Sequence, residues 1–325
     1  MKVLVTGATG FIGRNLVSEL LGQGDRVLCL YRDPMSRYDL YSGTGEWLQA
    51  DLASPLSLRG HLSKIEVVYH VAGVTSGHGA HEYDQGNVET TRNLLQQLVG
   101  EAKELKCLVY VSSLAAAGPC AQSPGLSPEA HAQPVSAYGR SKLAAEQVIL
   151  KEFNTIPSII VRPPIVYGPY DQALLPLFKA IRTGIRVIHG FRPFPVSLIH
   201  VEDLVSGLRF VSSSKEMVGR RYHISDGGVY PWQEIIDCAA VMLNPRSRTI
   251  VLPLPLLWLS CQFAEMIGRV RGKPLSLNRD KWSEIKQAGW VGNGAMLNEQ
   301  GFTPAYRLEQ GLSQTIEWYK THGWL

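Results

Sequence analysis

Short apolar runs recur through the first half of the chain, each followed by a stretch in which apolar positions return every three or four residues. The runs predict strands at Lys2–Val5, Arg26–Tyr31, Val67–Val71, Leu108–Ser112 and Ser158–Arg162. The helical spacing predicts helices at Phe11–Gly22, Pro55–Leu62, Tyr83–Gly100, Ala137–Phe153 and Leu174–Thr183. Such alternation specifies an α/β fold, a doubly wound parallel sheet covered on both faces, with loops at the carboxyl ends of the strands where ligands bind.

The pattern changes after residue 165. Six of the seven tryptophans (Trp232, Trp258, Trp282, Trp290, Trp318, Trp324) lie beyond residue 230, among many prolines. We expect a unit over residues 1–165, with strands around 196–225 returning to it, and a smaller, mostly helical lobe over 166–325 that completes a cavity. Ordinary packing accounts for most of the tryptophans. The longest apolar run, Ile250 to Ala264, is broken by Pro253 and Pro255 and is shorter than the roughly 20 residues of a membrane span. It reads as a buried helix or cavity wall, with Leu252, Leu254, Leu256, Leu257 and Trp258 facing a ligand. Shallow membrane contact is the alternative, without a basic flank of the expected density. Gln122 to Ala132 reads as a loop crossing near the site.

Candidate chemistry begins at the first strand, which runs into Thr6-Gly7-Ala8-Thr9-Gly10-Phe11-Ile12-Gly13. Gly7 suits a tight turn, Gly10 a close backbone approach to a pyrophosphate, and Gly13 close packing of helix on strand. The helix that follows turns its positive end to the phosphates. A second constellation is Tyr138 and Lys142, four apart and so on one helix face, where an ammonium would lower the pKa of the phenol. Ser112 and Ser113 end a strand, offering a hydroxyl to the same substrate oxygen or, equally, a turn or helix cap.

The net charge of +4 is interspersed, and Lys179, Arg182, Arg186 and Arg192 are too sparse to track a nucleic acid. The five cysteines are scattered without a CxxC pair, which predicts reduced thiols and a cytoplasmic protein. With the first strand at residue 2, no secretory leader is expected. His78 and His81 sit in a glycine-rich loop without further ligands, so a mobile loop rather than a metal site is expected.

Taken in order, the pieces resemble the extended branch of the short-chain dehydrogenase/reductase superfamily. They are Thr6 to Gly13, Ala50-Asp51-Leu52, His70 to Gly73, Asn87 to Leu94, Ser112-Ser113, Tyr138 to Lys142, Arg162 to Pro169 and Ile199 to Leu204. The resemblance covers nearly the whole chain. It implies a Rossmann-type sheet and an NAD(P)-dependent oxidoreductase with Ser113, Tyr138 and Lys142 as catalytic residues. Asp51 and Leu52 would flank the adenine. Gly7, Thr9, Gly10, Phe11, Ile12, Gly13, Ala72, Gly73, Ser112, Tyr138, Pro163 and Ile165 would lie against the cofactor, and Lys142 would hold the nicotinamide ribose. Asn87 would support the site's backbone, or serve as a plain N-cap. A homodimer through the helices of Asn87 and Tyr138 is also implied.

The second strand ends Tyr31-Arg32-Asp33-Pro34. Arg32 suits a 2′-phosphate, with Arg37 as a second contact, so NADPH is favoured over NAD; Asp33 on the ribose is the competing reading. Nucleotide-sugar members usually carry asparagine at Ile165 and an arginine near Val196 and Ser197. Their absence points to the 3β-hydroxysteroid dehydrogenase and dihydroflavonol reductase side, acting on a largely apolar ketone or alcohol. A nucleotide-sugar epimerase or dehydratase is the alternative. A non-catalytic cofactor-binding sensor or scaffold is the second, and the intact Ser113, Tyr138 and Lys142 argue against it.

Overall fold

A computed structural model describes residues 1–33, 45–54 and 56–325. Arg37 and Pro55 lie outside the described residues. The strands are β1 (Lys2–Thr6), β2 (Arg26–Tyr31), β3 (Glu46–Gln49), β4 (Val67–His70), β5 (Cys107–Val111), β6 (Ser158–Arg162), β7 (Ile165–Tyr167), β8 (Ile185–His189), β9 (Pro195–Val196), β10 (Leu198–His200), β11 (Arg221–His223), β12 (Tyr230–Pro231) and β13 (Arg248–Leu252). The helices are α1 (Phe11–Gly22), α2 (Ala80–Tyr83), α3 (Thr90–Glu101), α4 (Leu114–Ala117), α5 (Ala137–Gln147), α6 (Leu175–Arg182), α7 (Val201–Ser213), α8 (Trp232–Leu243), α9 (Leu254–Arg271), α10 (Arg279–Ile285), α11 (Ala295–Glu299) and α12 (Leu308–Thr321).

Seven strands form one sheet in the order β11-β6-β5-β4-β1-β2-β3, with every neighbouring pair parallel. Alternation along the strands divides the core. Val3, Val5, Val109 and Val161 face α1 and α7 through Leu16, Leu20, Leu204 and Leu208. Leu4, Leu108 and Ile160 face the other way, onto Leu94, Leu98, Val148 and Ile149. Both faces are covered, which is why these strands read as continuous apolar runs.

Two predicted helices contain π-helical turns: Asp84–Glu89 joins α2 to α3, and Val148–Glu152 extends α5. The predicted helix at 55–62 is instead a series of turns over its described residues. Leu58 and Leu62 are buried at helical spacing, but Gly60 is left-handed (φ 84°) and single turn bonds replace a helical ladder. Around 196–225, β11 joins the main sheet, whereas β9 and β10 pair with β12 and β7 in small separate sheets.

A further core gathers Tyr167, Phe178, Ile235, Leu312 and Tyr319, with Trp232, Trp290, Trp318 and Trp324 packed against it. Helix α9 departs from expectation. Leu257 is buried, but Leu254, Leu256 and Trp258 are exposed, so these side chains do not form a ligand wall. No helix among the described residues is long and apolar enough to cross a membrane.

Candidate active site

The glycine loop has the geometry its spacing implies. Gly7 is left-handed (φ 68°), and the Gly10 N–H donates to its carbonyl at 3.0 Å. A Cβ on Gly13 would sit 2.0 Å from the Gly7 oxygen, so no side chain fits there. Helix α1 has no acidic residue in its first turn and no side-chain cap, leaving a positive end suited to an anion.

A cleft of about 920 Å³ opens over this loop, lined among others by Gly7, Thr9, Gly10, Phe11, Ile12, Gly13, Arg32, Asp51, Leu52, Ala72 and Gly73. These residues, separated along the chain, are brought to the carboxyl edge of one sheet. The glycine cradle, the helix end and the volume of the cleft fit a dinucleotide. Ser112, Ser113, Tyr138, Lys142, Pro163 and Ile165 are not among the cleft's lining residues. Arg14, Tyr170, Asp171 and Ser276 do line it, although the sequence reading did not select them. Arg14 stands over the Tyr170 ring at 4.6 Å and donates to the Thr9 carbonyl at 3.1 Å. Its position directly after Gly13 was the available signal.

A buried chain of hydrogen bonds underlies the cleft. The Thr91 hydroxyl donates to the Asn87 carbonyl (2.6 Å) and so accepts from His70 Nε2 (2.9 Å). His70 Nδ1 then accepts from Thr6 Oγ1 (2.7 Å), which accepts from the Ala72 N–H (3.1 Å). One proton arrangement satisfies all four bonds and requires neutral His70. Burial, aided by the Lys142 charge, pulls its pKa down to about 3. Asn87 lies inside the π-helical turn rather than at a cap; it bonds Val74 N (2.7 Å) and O (3.0 Å) and Ser141 Oγ (2.9 Å).

Lys142 is 3% exposed and donates to the Val111 carbonyl at 2.8 Å. Its ammonium lies directly behind Gly73, where an added Cβ would meet it at 3.2 Å. Burial lowers its pKa to about 8, with Glu146 opposing. Tyr138 departs from expectation: burial pushes its pKa up, and the hydrogen bond with Ser113 only partly offsets this. The Lys142 ammonium is directed to Val111, and the desolvation of a phenolate outweighs the benefit of a nearby cation. Tyr138 is therefore a proton-bearing phenol beside a hydroxyl.

Ser113 caps α4, accepting from Ala115 N at 3.1 Å. Ser112 turns away from the cleft and donates to Glu146 at 2.5 Å. Glu146 also receives two bonds from Arg162, at 2.8 and 2.6 Å, in a fully buried ion pair. The Ser112 hydroxyl is thus engaged inside the protein.

The amino end of α5 is held from far along the chain. Asp280 accepts from Ala137 N (2.6 Å) and Tyr138 N (3.1 Å), two N–H groups that a helix leaves unsatisfied. Ser136 accepts from Gly139 N at 2.9 Å and donates to Glu284 at 2.7 Å. Two carboxylates of α10 therefore fix the turn that carries Tyr138. His78 packs near Gly268 of α9. The loop from Gln122 bonds through Leu126 to Val291 and His223.

The NAD dependent epimerase/dehydratase family matches residues 3–225. The ceramide reductase of Caulobacter vibrioides is 30% identical over 99% of this chain and 96% of that protein. The 2-alkyl-3-oxoalkanoate reductase of Stenotrophomonas maltophilia is 26% identical over 96% of this chain and 97% of its own. Among solved structures, MoeE5 in complex with UDP-glucose and NAD superposes with a TM-score of 0.78, at 25% identity over 99% of both chains. With its parallel sheet, glycine cradle and clustered site residues, this chain belongs to the NAD dependent epimerase/dehydratase family, the extended branch of the short-chain dehydrogenases/reductases, and is an enzyme of that type.

Proposed function

We propose that the protein is a cytoplasmic, NADPH-preferring reductase of a ketone on a largely apolar skeleton, acting as a homodimer. The observation that carries this reading is the placing of Lys142, one turn along α5 from Tyr138, behind Gly73 in the cleft wall, with Ser113 capping the helix α4 that packs against α5. A bound nicotinamide cofactor supplies the hydride. Ser113 holds the carbonyl oxygen, Tyr138 gives it a proton, and Lys142 contacts the ribose and compensates the phenolate left behind. Thr9, Gly10, Phe11 and Ile12 hold the pyrophosphate, Asp51 and Leu52 the adenine, and Pro163 and Ile165 border the nicotinamide. The five free cysteines agree with a reducing compartment.

The relatives named for reduction of ceramide and of 2-alkyl-3-oxoalkanoate support an apolar ketone. So do Val196 and Ser197, which stand where nucleotide-sugar members usually carry an arginine: Val196 is fully buried, and the Ser197 hydroxyl accepts from Gly292 N. The test is turnover and thermal shift with NADPH and a panel of long-chain, steroid-like and flavonoid-like ketones. A ligand at about 100 times its Kd should stabilise by about 2.7 kcal/mol. Stabilisation and turnover with UDP- or dTDP-sugars alone would replace this reading with an epimerase or dehydratase. Binding of cofactor with no turnover of either class would leave a sensor.

Preference for NADPH rests on Arg32, which lines the cleft at the end of β2. Arg32→Ala should lose about 1.5–3 kcal/mol of NADPH affinity and little for NADH. Calorimetric titration of both cofactors checks it; equal losses would remove Arg32 from 2′-phosphate recognition.

A further inference from the structure

Helix α9 presents its aliphatic stripe on the side opposite to that of an ordinary globular helix. Leu256, Leu259, Phe263, Met266 and Val270 recur three and four apart and share a face, and that face is in solvent: Phe263 is 53% exposed, Met266 54% and Val270 84%. The inward face carries Leu257, Cys261, Glu265 and Gly268. An amphipathic helix ordinarily turns its apolar stripe to the core. Exposed Phe191 extends the patch, since the neighbouring Gly190 packs against Leu254.

The basic flank that the Ile250–Ala264 run itself lacks comes where α9 continues past it, with Arg269 and Arg271 in its last turn and Lys273 just beyond. Residues 245–275 hold five cations, Arg246, Arg248, Arg269, Arg271 and Lys273, and one acid, Glu265. Glu265 is already engaged by Arg269 at 2.7 Å and by the Arg279 N–H at 3.2 Å. Three of them, Arg269, Arg271 and Lys273, gather at the carboxyl end of the helix, while Arg246 and Arg248 precede it by six residues or more. A groove of about 340 Å³ on its surface has Leu259, Phe263 and Met266 as apolar walls, with Arg269 and Arg279 beside them.

We propose that this face of α9 docks onto an anionic lipid bilayer, the helix lying flat in the headgroup layer with its stripe in the acyl boundary. A second copy of the chain fits less well, because a two-fold contact would set the same cations against each other. On its inward side α9 leads to α10, whose carboxylates cap the turn bearing Tyr138, and to Ser276 in the cleft lining. On the reductase reading above, docking would let an apolar substrate reach the site from the bilayer. The docking itself does not depend on that reading, because it is measured without turnover.

The test is co-sedimentation of the full-length protein with vesicles of phosphatidylcholine alone, and with vesicles in which about a third of the lipid is phosphatidylglycerol. The wild type should partition onto the anionic vesicles, and weakly onto neutral ones or at high salt. The triple variant Phe263→Gln, Met266→Gln, Val270→Gln should lose on the order of ten-fold or more in partitioning. Its thermal midpoint should hold, because all three side chains are exposed. Arg271→Gln with Lys273→Gln should reduce the preference for anionic lipid. Absence of wild-type binding to the anionic vesicles would overturn the proposal, as would equal binding by the triple variant. A concentration-dependent dimer that the triple variant abolishes, without vesicle binding, would assign the face to a second copy instead.

Discussion

Tyr138→Phe should lower turnover by on the order of 100-fold or more while leaving cofactor affinity nearly unchanged. Desolvation pushes the pKa of the phenol up, so it carries its proton at neutral pH, and removing its oxygen removes the proposed proton donor and little else. The ring can stay, packed near Tyr83 at 6.1 Å, because that contact does not use the hydroxyl. Lys142→Ala should behave differently, damaging both turnover and cofactor binding, since its ammonium lies behind Gly73 at the cleft wall. Single-turnover kinetics with a ketone whose reduction is rate-limiting make the measurement. Wild-type turnover in Tyr138→Phe would remove the tyrosine from the chemistry.

Acid should unfold the protein through its buried histidines, with His70 and His223 the most strongly shifted and His200, lowered to about 4, acting in the same sense. His70 and His223 are buried, and their pKa values fall from 6.5 to about 3, chiefly through desolvation. In the unfolded chain both ionise near pH 6.5. Below that the unfolded state binds more protons than the folded state, so stability present above pH 6.5 is lost as the pH falls. Between pH 6.5 and 5 each histidine should cost about 2 kcal/mol, a large share of a typical 5–15 kcal/mol. Asp171, raised to about 6 by burial, acts in the opposite sense. A variant therefore isolates the effect. His223→Gln keeps a donor for the Leu126 carbonyl that Nδ1 meets at 2.8 Å. Its stability difference between pH 7 and 5 in urea melts should shrink by about 2 kcal/mol. An unchanged difference would show that His223 does not titrate on unfolding.

The parts legible in the sequence are those whose signal is local. A strand, a tight turn and a helix start lie within residues 2–13, and glycine is required where a Cβ would strike the Gly7 carbonyl. The sheet was legible because strands buried on both faces read as apolar runs. Strand β3 was missed because Glu46–Gln49 is a half-buried edge with mixed polarity. The π-helical turns were missed because they keep helical periodicity while adding a residue to a turn. The pKa of Tyr138 was misread because four-residue spacing says which face two side chains share, not where an ammonium finds its acceptor. Asp280 and Glu284 carried no signal, since their partners lie more than 140 residues away. The exposure of Leu254 and Leu256 carries no signal in the sequence, because hydrophobicity alone does not say which side of a helix meets protein.

The bond from Asp280 to the start of α5 has a consequence for how the molecule can be divided. A fragment ending near residue 165 would retain the glycine loop, Ser113, Tyr138 and Lys142, yet it would lack the carboxylates that hold the turn beneath the phenol. It would lack β11 as well, leaving β6 as a raw sheet edge open to aggregation. The nucleotide-binding half is therefore not a module that could be grafted onto another substrate lobe. Any chimera must carry residues 221–223 and 280–284 along with it.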